Sequence, residues 1–219
     1  MRTSVCKCGK GDLKDDPLHF QACLYTKTAT TQRHNLVQNT LAEIANECNV
    51  IYKIKEKSEV DEKIPDIKFE FLRVHRVTGV RSTISDVSII HPSSTTYLNN
   101  GSSALGAATR RENEKIIKYT NETNAHTEFI PFVLESYGAF GKQSLAILKL
   151  MMDYKTRSLI NSYHYKIEEI LENEYLFDAK VRLSIVLQRG NHIVNTQGLR
   201  MINSTFDTRQ QVHQHSLHG

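Results

Sequence analysis

No apolar run in these 219 residues approaches the roughly 18 that a membrane-spanning helix requires. The opening Met1-Arg2-Thr3-Ser4-Val5-Cys6 has none of the apolar stretch that a secretory signal carries. Both absences set the expectation of a nuclear or cytoplasmic protein without membrane contact, in a compartment where disulfides are rare. Cysteine is scarce, at four residues, and in a reducing compartment those four need an explanation other than cross-links. Neither sign of charge dominates: 28 Lys and Arg stand against 24 Asp and Glu, a surplus of 28 − 24 = 4. A surplus that small permits a nucleic-acid partner without demanding one. No internal repeat is visible.

What is present suffices for a folded domain with an appendage. At 39% apolar and 24% charged, the chain has the composition of a protein with a real core. Residues 1–32 are poor in large apolar side chains and hold three of the four cysteines, which predicts a small module held by something other than burial. Val37, Leu41, Ile44 and Cys48 recur at steps of four, three and four, so 33–48 reads as a helix with one apolar face. Cys48 then reads as a small core residue. Strands are expected at 50–55, at 67–71, where Ile67, Phe69 and Phe71 alternate with Lys68 and Glu70, and at 83–90. Thr78-Gly79 predicts a hairpin turn between the last two. Residues 93–103 read as a loop and 104–119 as a helix. The segment 129–140, with Pro131 and two glycines among aromatics, reads as a loop and helix start. Helices follow at 144–152, 163–177 and 179–189. Residues 207–219, with His213, His215 and His218, read as a solvated tail. The expected division is a knuckle-like module at 1–32, a core at 33–135, a helical cap at 136–206 and a disordered tail at 207–219.

Two clusters carry chemistry. Cys6, Cys8, His19 and Cys23 supply three thiolates and an imidazole, a four-coordinate set of the type that holds structural zinc. Their Cys-x-Cys spacing is tighter than the usual pair, and unpaired thiols in a loose tail are the alternative. Gly9 and Gly11 allow the tight backbone that such a knuckle needs. Downstream, Asp66 opens one predicted strand and Asp86 lies inside the next, so hairpin pairing would bring the two acids to one end of the sheet. Close carboxylates repel, and a divalent cation such as Mg²⁺ removes that penalty while leaving room for phosphate oxygens. Lys115 and Lys118, three apart on the predicted helix, share a face from which a cation could assist phosphodiester hydrolysis. The alternative is ordinary: aspartates near strand ends are common and helix lysines are usually solvated.

The order of these features resembles one family. Cys6-x-Cys8-Gly9, His19-Phe20-x-x-Cys23, Arg33-His34-Asn35, Pro65-Asp66-Ile67, Asp86-Val87-Ser88-Ile89-Ile90-His91-Pro92, Glu114-Lys115-x-x-Lys118-Tyr119 and Phe132-x-x-Glu135-Ser136-x-Gly138 follow one another as in the restriction-enzyme-like endonuclease region at the C-terminus of non-LTR retrotransposon polyproteins. The likeness covers about residues 6–192. It implies an α/β fold with a PD-(D/E)XK core, a mixed sheet flanked by helices, preceded by a zinc knuckle on Cys6, Cys8, His19 and Cys23. It implies that Asp66 and Asp86 hold Mg²⁺. It also implies that Lys115 stands for a lysine moved from the third strand to the next helix, with Lys118 and Tyr119 completing that segment. The substrate would be DNA, with element RNA a further partner. Two departures are plain: Ser88 stands where the usual strand lysine would be, and the interval between the acids is long. Glu56 is a candidate to complete the site and Glu135 a lesser one. No polymerase acid pair in a turn is present, so reverse transcription by this chain alone is not expected. The competing expectation is a non-catalytic nucleic-acid-binding remnant, with Arg33, His34, Arg110 and Arg111 contacting phosphates.

Overall fold

The computed structural model describes residues 5–9, 11–16, 18–55, 64–71, 81–94, 96–97, 104–124, 126–159 and 165–216, with backbone alone for 81, 157–159, 165–172 and 203–216. The chain is mixed α/β. Helix α1 (Lys27–Glu47) leads into β1 (Ile51–Ile54), β2 (Ile67–Phe71), β3 (Arg81–Ser85) and β4 (Val87–Ile90). Helix α2 (Gly106–Lys118) then precedes β5 (Thr127–Phe129) and β6 (Phe132–Glu135), and α3 (Lys142–Leu159) and α4 (Tyr165–Ser216) end the chain. The turn expected at Thr78-Gly79 and the candidate Glu56 lie outside the described residues.

α1 starts six residues earlier than the apolar spacing indicates, so its first turns occupy part of the stretch 1–32. It ends as an α-helix should. Asn49 takes a left-handed φ of 57°, its N–H returns to Asn46 O at 2.9 Å, and Val50 N reaches Ala45 O at 2.9 Å. That double bond is the Schellman closure, which satisfies the last carbonyls and turns the chain into β1.

β1, β2 and β3 form an antiparallel meander, and β5 lies parallel to β3, giving the order β1-β2-β3-β5. β4 and β6 continue as a parallel pair. The expected single strand at 83–90 is therefore two strands with a joint at Asp86. The cause is one hydrogen bond: the Val87 N–H, which would otherwise join a ladder, donates to Asp66 Oδ2 at 2.8 Å. On the neighbouring path the break falls at Pro131. Ile130 N reaches Ile84 O at 3.0 Å and Phe132 N reaches Asp86 O at 3.2 Å. Proline thus occupies the position whose missing N–H would have pointed away from the partner strand. The segment 129–140 is consequently a strand and turn rather than a loop and helix start.

One face of the sheet gives Ile67, Phe69, Phe71, Val87, Phe132 and Leu134 to a core shared with Val37, Leu41 and Ile44 of α1, Ile147, Leu148 and Met151 of α3, and Leu183 and Leu187 of α4. The opposite face packs Ile90 and Val133 on Ala107 and Ala108 of α2. Two buried glutamates fasten helices to these layers. Glu135 accepts from Ala108 N at 3.3 Å, in the first turn of α2, and Glu112 of α2 accepts from Gln143 N at 2.8 Å, in the first turn of α3. A carboxylate there meets the free N–H groups and positive end of a helix. Glu135, weighed as a site residue from the sequence, thus caps a helix. α4 is continuous where two helices were expected, and its backbone helix runs on to Ser216, into the stretch read as a tail. Among the described residues no helix is long and apolar enough to cross a membrane.

Candidate active-site cleft and metal cluster

The pairing of β2 with β3 sets Ile67 opposite Ser85. Asp66 and Asp86 are the next residues out on each strand, at the point where the Val87 N–H leaves the ladder. Both line an open cleft of about 760 Å³, together with His34, Lys115, Arg111 and His91. Lys115 comes from α2, Asp66 and Asp86 from the sheet, and His34 from α1, so three layers meet there.

Asp86 is held from two sides. Its Oδ1 accepts from the Tyr119 hydroxyl at 2.8 Å. Its Oδ2 faces the Lys115 ammonium directly in an ion pair but takes part in no hydrogen bond of regular geometry. Tyr119 is fully buried and stacked on Phe129 at 4.5 Å between ring centroids. Lys118 donates to the Tyr119 hydroxyl at 3.1 Å, and its ammonium lies 4.5 Å from that ring. Burial and the negative charge of Asp86 push the Tyr119 phenol far up, which keeps it a neutral donor. Burial pulls the Lys115 ammonium down, and Arg111 and Lys118 add to that, against the opposing attraction of Asp86. A lysine so placed releases a proton more readily than a solvated one.

Asp66 is held differently. Its Oδ2 takes both the Val87 N–H at 2.8 Å and His34 Nε2 at 2.9 Å. Gln38 Nε2 bonds its backbone carbonyl at 2.8 Å. Burial pushes the carboxyl up, but the His34 hydrogen bond and charge, the Val87 bond and the Lys115 charge outweigh it and hold Asp66 below its ordinary value. His34 is the mirror case: burial pulls it down, and the bond to Asp66 and the nearby acids carry it above 6.5.

The four residues expected to meet phosphates separate. His34 and Arg111 line the cleft; Arg111 is steadied by Glu114 at 3.0 Å and Ser88 at 3.4 Å. Arg110 sits outside it, exposed, bonded to Thr96 O at 2.8 Å and Glu114 at 3.1 Å. Arg33 borders the same cleft, but its guanidinium is engaged inward, away from where a phosphate contact requires. It is 2% exposed, and its guanidinium donates to Gln21 Oε1 and to Asn191 Oδ1, the latter at 2.9 Å. The expectation of a phosphate contact gives way there to a buried structural cation. Lys27 and Lys55 also line the cleft; nothing in their spacing singles them out in the sequence.

Cys6, Cys8, His19 and Cys23 form a second constellation, with their ligand atoms all within 4.8 Å of one another, and they could hold a metal ion. Cys6 and Cys23 Sγ are 3.7 Å apart and Cys8 Sγ lies 3.0 Å from His19 Nε2. Two thiolates on one tetrahedral zinc stand about 3.8 Å apart, given Zn–S bonds of about 2.3 Å, so the Cys6–Cys23 edge already has the length the ion needs. The backbone supports the set. Cys6 N bonds Gly11 O and Gly9 N bonds Cys6 O, each at 2.8 Å, with Gly9 at a φ of 71°. A Cβ on Gly11 would overlap the His19 ring. Burial pushes the Cys23 thiol up to about 12, so uptake of a cation would release protons. The module is less bare than its composition suggests, because it borrows burial: Phe20, Cys6 and Cys23 cluster with Val194 of α4, and Gly198 leaves the space that the Phe20 ring fills.

No family model matches the chain, and no curated protein matches it.

Proposed function

We propose that this protein is a divalent-cation-dependent DNA endonuclease of the restriction-enzyme-like type found in non-LTR retrotransposons, with a structural zinc knuckle. One observation carries the reading: Asp66, Asp86 and Lys115, from two strands and a helix, line one cleft open to solvent. The mixed sheet between helices agrees with the core that the sequence resemblance implies. Two carboxylates bordering one cleft of about 760 Å³ are a donor set that suits a hard cation. Mg²⁺ bound there would polarise a phosphodiester and lower the pKa of attacking water.

The chain's own residues set up the rest. Asp66 and Asp86 would hold the cation, and the Val87 N–H and Tyr119 hydroxyl fix these two carboxylates. Lys115, an ammonium paired with Asp86, would orient the attacking water or offset charge developing on the phosphate. Arg111 faces the same cleft and is placed for a phosphate contact. Zinc in the knuckle would be held by Cys6, Cys8, His19 and Cys23.

Supercoiled plasmid incubated with the protein and Mg²⁺ is expected to become nicked. Asp66→Ala and Asp86→Ala are expected to abolish nicking while leaving the fold intact by circular dichroism. Full activity in both variants would end the proposal. A second reading has its own observation: the acids are already paired, Asp86 with Lys115 and Asp66 with His34, so the cleft can persist as a binding surface without a cation. That reading gives salt-sensitive DNA binding with no cleavage in any divalent ion.

A further inference from the structure

Between the Cys6, Cys8, His19 and Cys23 cluster and the cleft lies a buried polar knot. Gln21, set between His19 and Cys23, accepts from Arg33 Nη1 through Oε1 and from Arg33 Nη2 through its carbonyl at 3.5 Å. It also donates to Asn195 Oδ1 at 2.7 Å. Asn191 accepts from Arg33 at 2.9 Å and donates to Ser136 O at 2.8 Å. Gly190 makes the crossing possible, since a Cβ there would press on Arg33 Cγ and come 3.1 Å from Arg33 Cα. Of the three acceptors around the guanidinium, Gln21 supplies two. Arg33 Nε has no partner among the described residues, and burial alone pulls the group down to about 10. The charge is thus kept inside by few contacts, most of them from the knuckle.

We propose that Arg33 is a positioning residue that reports the loading of the knuckle to the cleft; this rests on the endonuclease reading above. With the Cys6, Cys8, His19 and Cys23 cluster loaded, Gln21 stays in place and Arg33 is sequestered. When the cluster is empty the knuckle loosens, Gln21 withdraws, and a buried guanidinium loses most of its partners. A charge left so is strongly disfavoured inside the protein. Its outlet is the cleft, which Arg33 already lines. There it stands one residue from His34, whose ring reaches Asp66. A released guanidinium would pair with Asp66 and compete with the catalytic cation. Loading of one site therefore opens the other, with Arg33 as the two-state element.

The test is Mn²⁺ binding followed by electron paramagnetic resonance, which needs no cleavage. Zinc-loaded protein is expected to bind Mn²⁺ about tenfold more tightly than protein stripped with a zinc-selective chelator that is then removed, within the usual range for coupled sites. Gln21→Ala, kept zinc-loaded, is expected to show the same weakening. Arg33→Met, which fills the site without a charge, is expected to bind Mn²⁺ equally with and without zinc. Equal affinity in loaded and stripped wild-type protein would overturn the inference and leave the endonuclease reading standing. So would an Arg33→Met variant as sensitive to stripping as the wild type. If loaded wild-type protein takes no Mn²⁺ that Asp66→Asn and Asp86→Asn abolish, the endonuclease reading fails and this inference falls with it.

Discussion

Tyr119 holds Asp86 by a single hydrogen bond of 2.8 Å, donated by a phenol that is otherwise fully enclosed. The bond engages one carboxylate oxygen and leaves the other to Lys115. An outer partner of this kind orients a ligating carboxylate without touching the cation. Tyr119→Phe is expected to lower Mg²⁺-dependent nicking by about 10- to 100-fold, the usual loss for such partners. The ring's packing on Phe129 is kept, so thermal melting should fall by far less than in Tyr119→Ala. The paired melting and nicking curves check both halves.

The His34–Asp66 pair gives a pH dependence of stability. His34 titrates above 6.5 when folded, so its contribution is fully present below 6.5 and is lost as pH rises through the raised value. Asp66 titrates below 3.8 when folded, so its contribution is present above 3.8 and is lost as pH falls through the lowered value. The pair therefore stabilises most between about 3.8 and 6.5 and fades on both sides. A double-mutant cycle with His34→Gln and Asp66→Asn is expected to show about 1.5–3 kcal/mol of coupling at pH 5.5, the range for a charge-assisted hydrogen bond. The coupling should shrink by pH 9; a constant value across that range would contradict the ionic pairing.

The Cys6, Cys8, His19 and Cys23 cluster is open to spectroscopy. Co²⁺ substituted for zinc should give the visible absorption of a tetrahedral thiolate site, and Cys8→Ser should weaken it. Gly11→Ala is the sharper variant, because its new methyl falls on the His19 ring while changing no ligand. It is expected to weaken Co²⁺ uptake. Unaltered binding in Gly11→Ala would mean that His19 is not a ligand.

DNA binding is expected to weaken with salt, with a slope set by the phosphates neutralised. Arg111→Ala should reduce that slope by about one, since it removes a cation lining the cleft. Arg110→Ala, which lies outside the cleft and is engaged by Thr96 and Glu114, should leave it nearly unchanged. Titrations by fluorescence anisotropy at several salt concentrations separate the two.

Local pattern was enough for much of the frame. The alternation of Ile67, Phe69 and Phe71 marks β2, and Val37, Leu41 and Ile44 mark the buried side of α1. Cys6, Cys8, His19 and Cys23 stand out by residue type alone, since few other roles suit three thiols and an imidazole in a small module. Asp66, Asp86 and Lys115 are singled out only by their order along the chain and by hairpin pairing, and they line one cleft. Hidden from the sequence were features that a distant partner creates. The joint at Asp86 depends on a carboxylate 21 residues away taking the Val87 N–H, and a run of β-branched residues gives no hint of it. β6 was masked by Pro131, whose harmlessness rests on which edge its nitrogen faces. Arg33 looked like a surface cation because its acceptor Asn191 lies 158 residues downstream.

The placement of Pro131 reaches beyond the cleft. Its nitrogen faces away from the neighbouring strand, toward a flank that the chain itself closes: Val133 N donates to Ser144 Oγ at 2.6 Å and Glu135 N to Ala139 O at 2.8 Å. A buried amide at position 131 would need an acceptor of its own, and proline has none to satisfy. The strand can therefore run through the interior at this point without an orphaned donor.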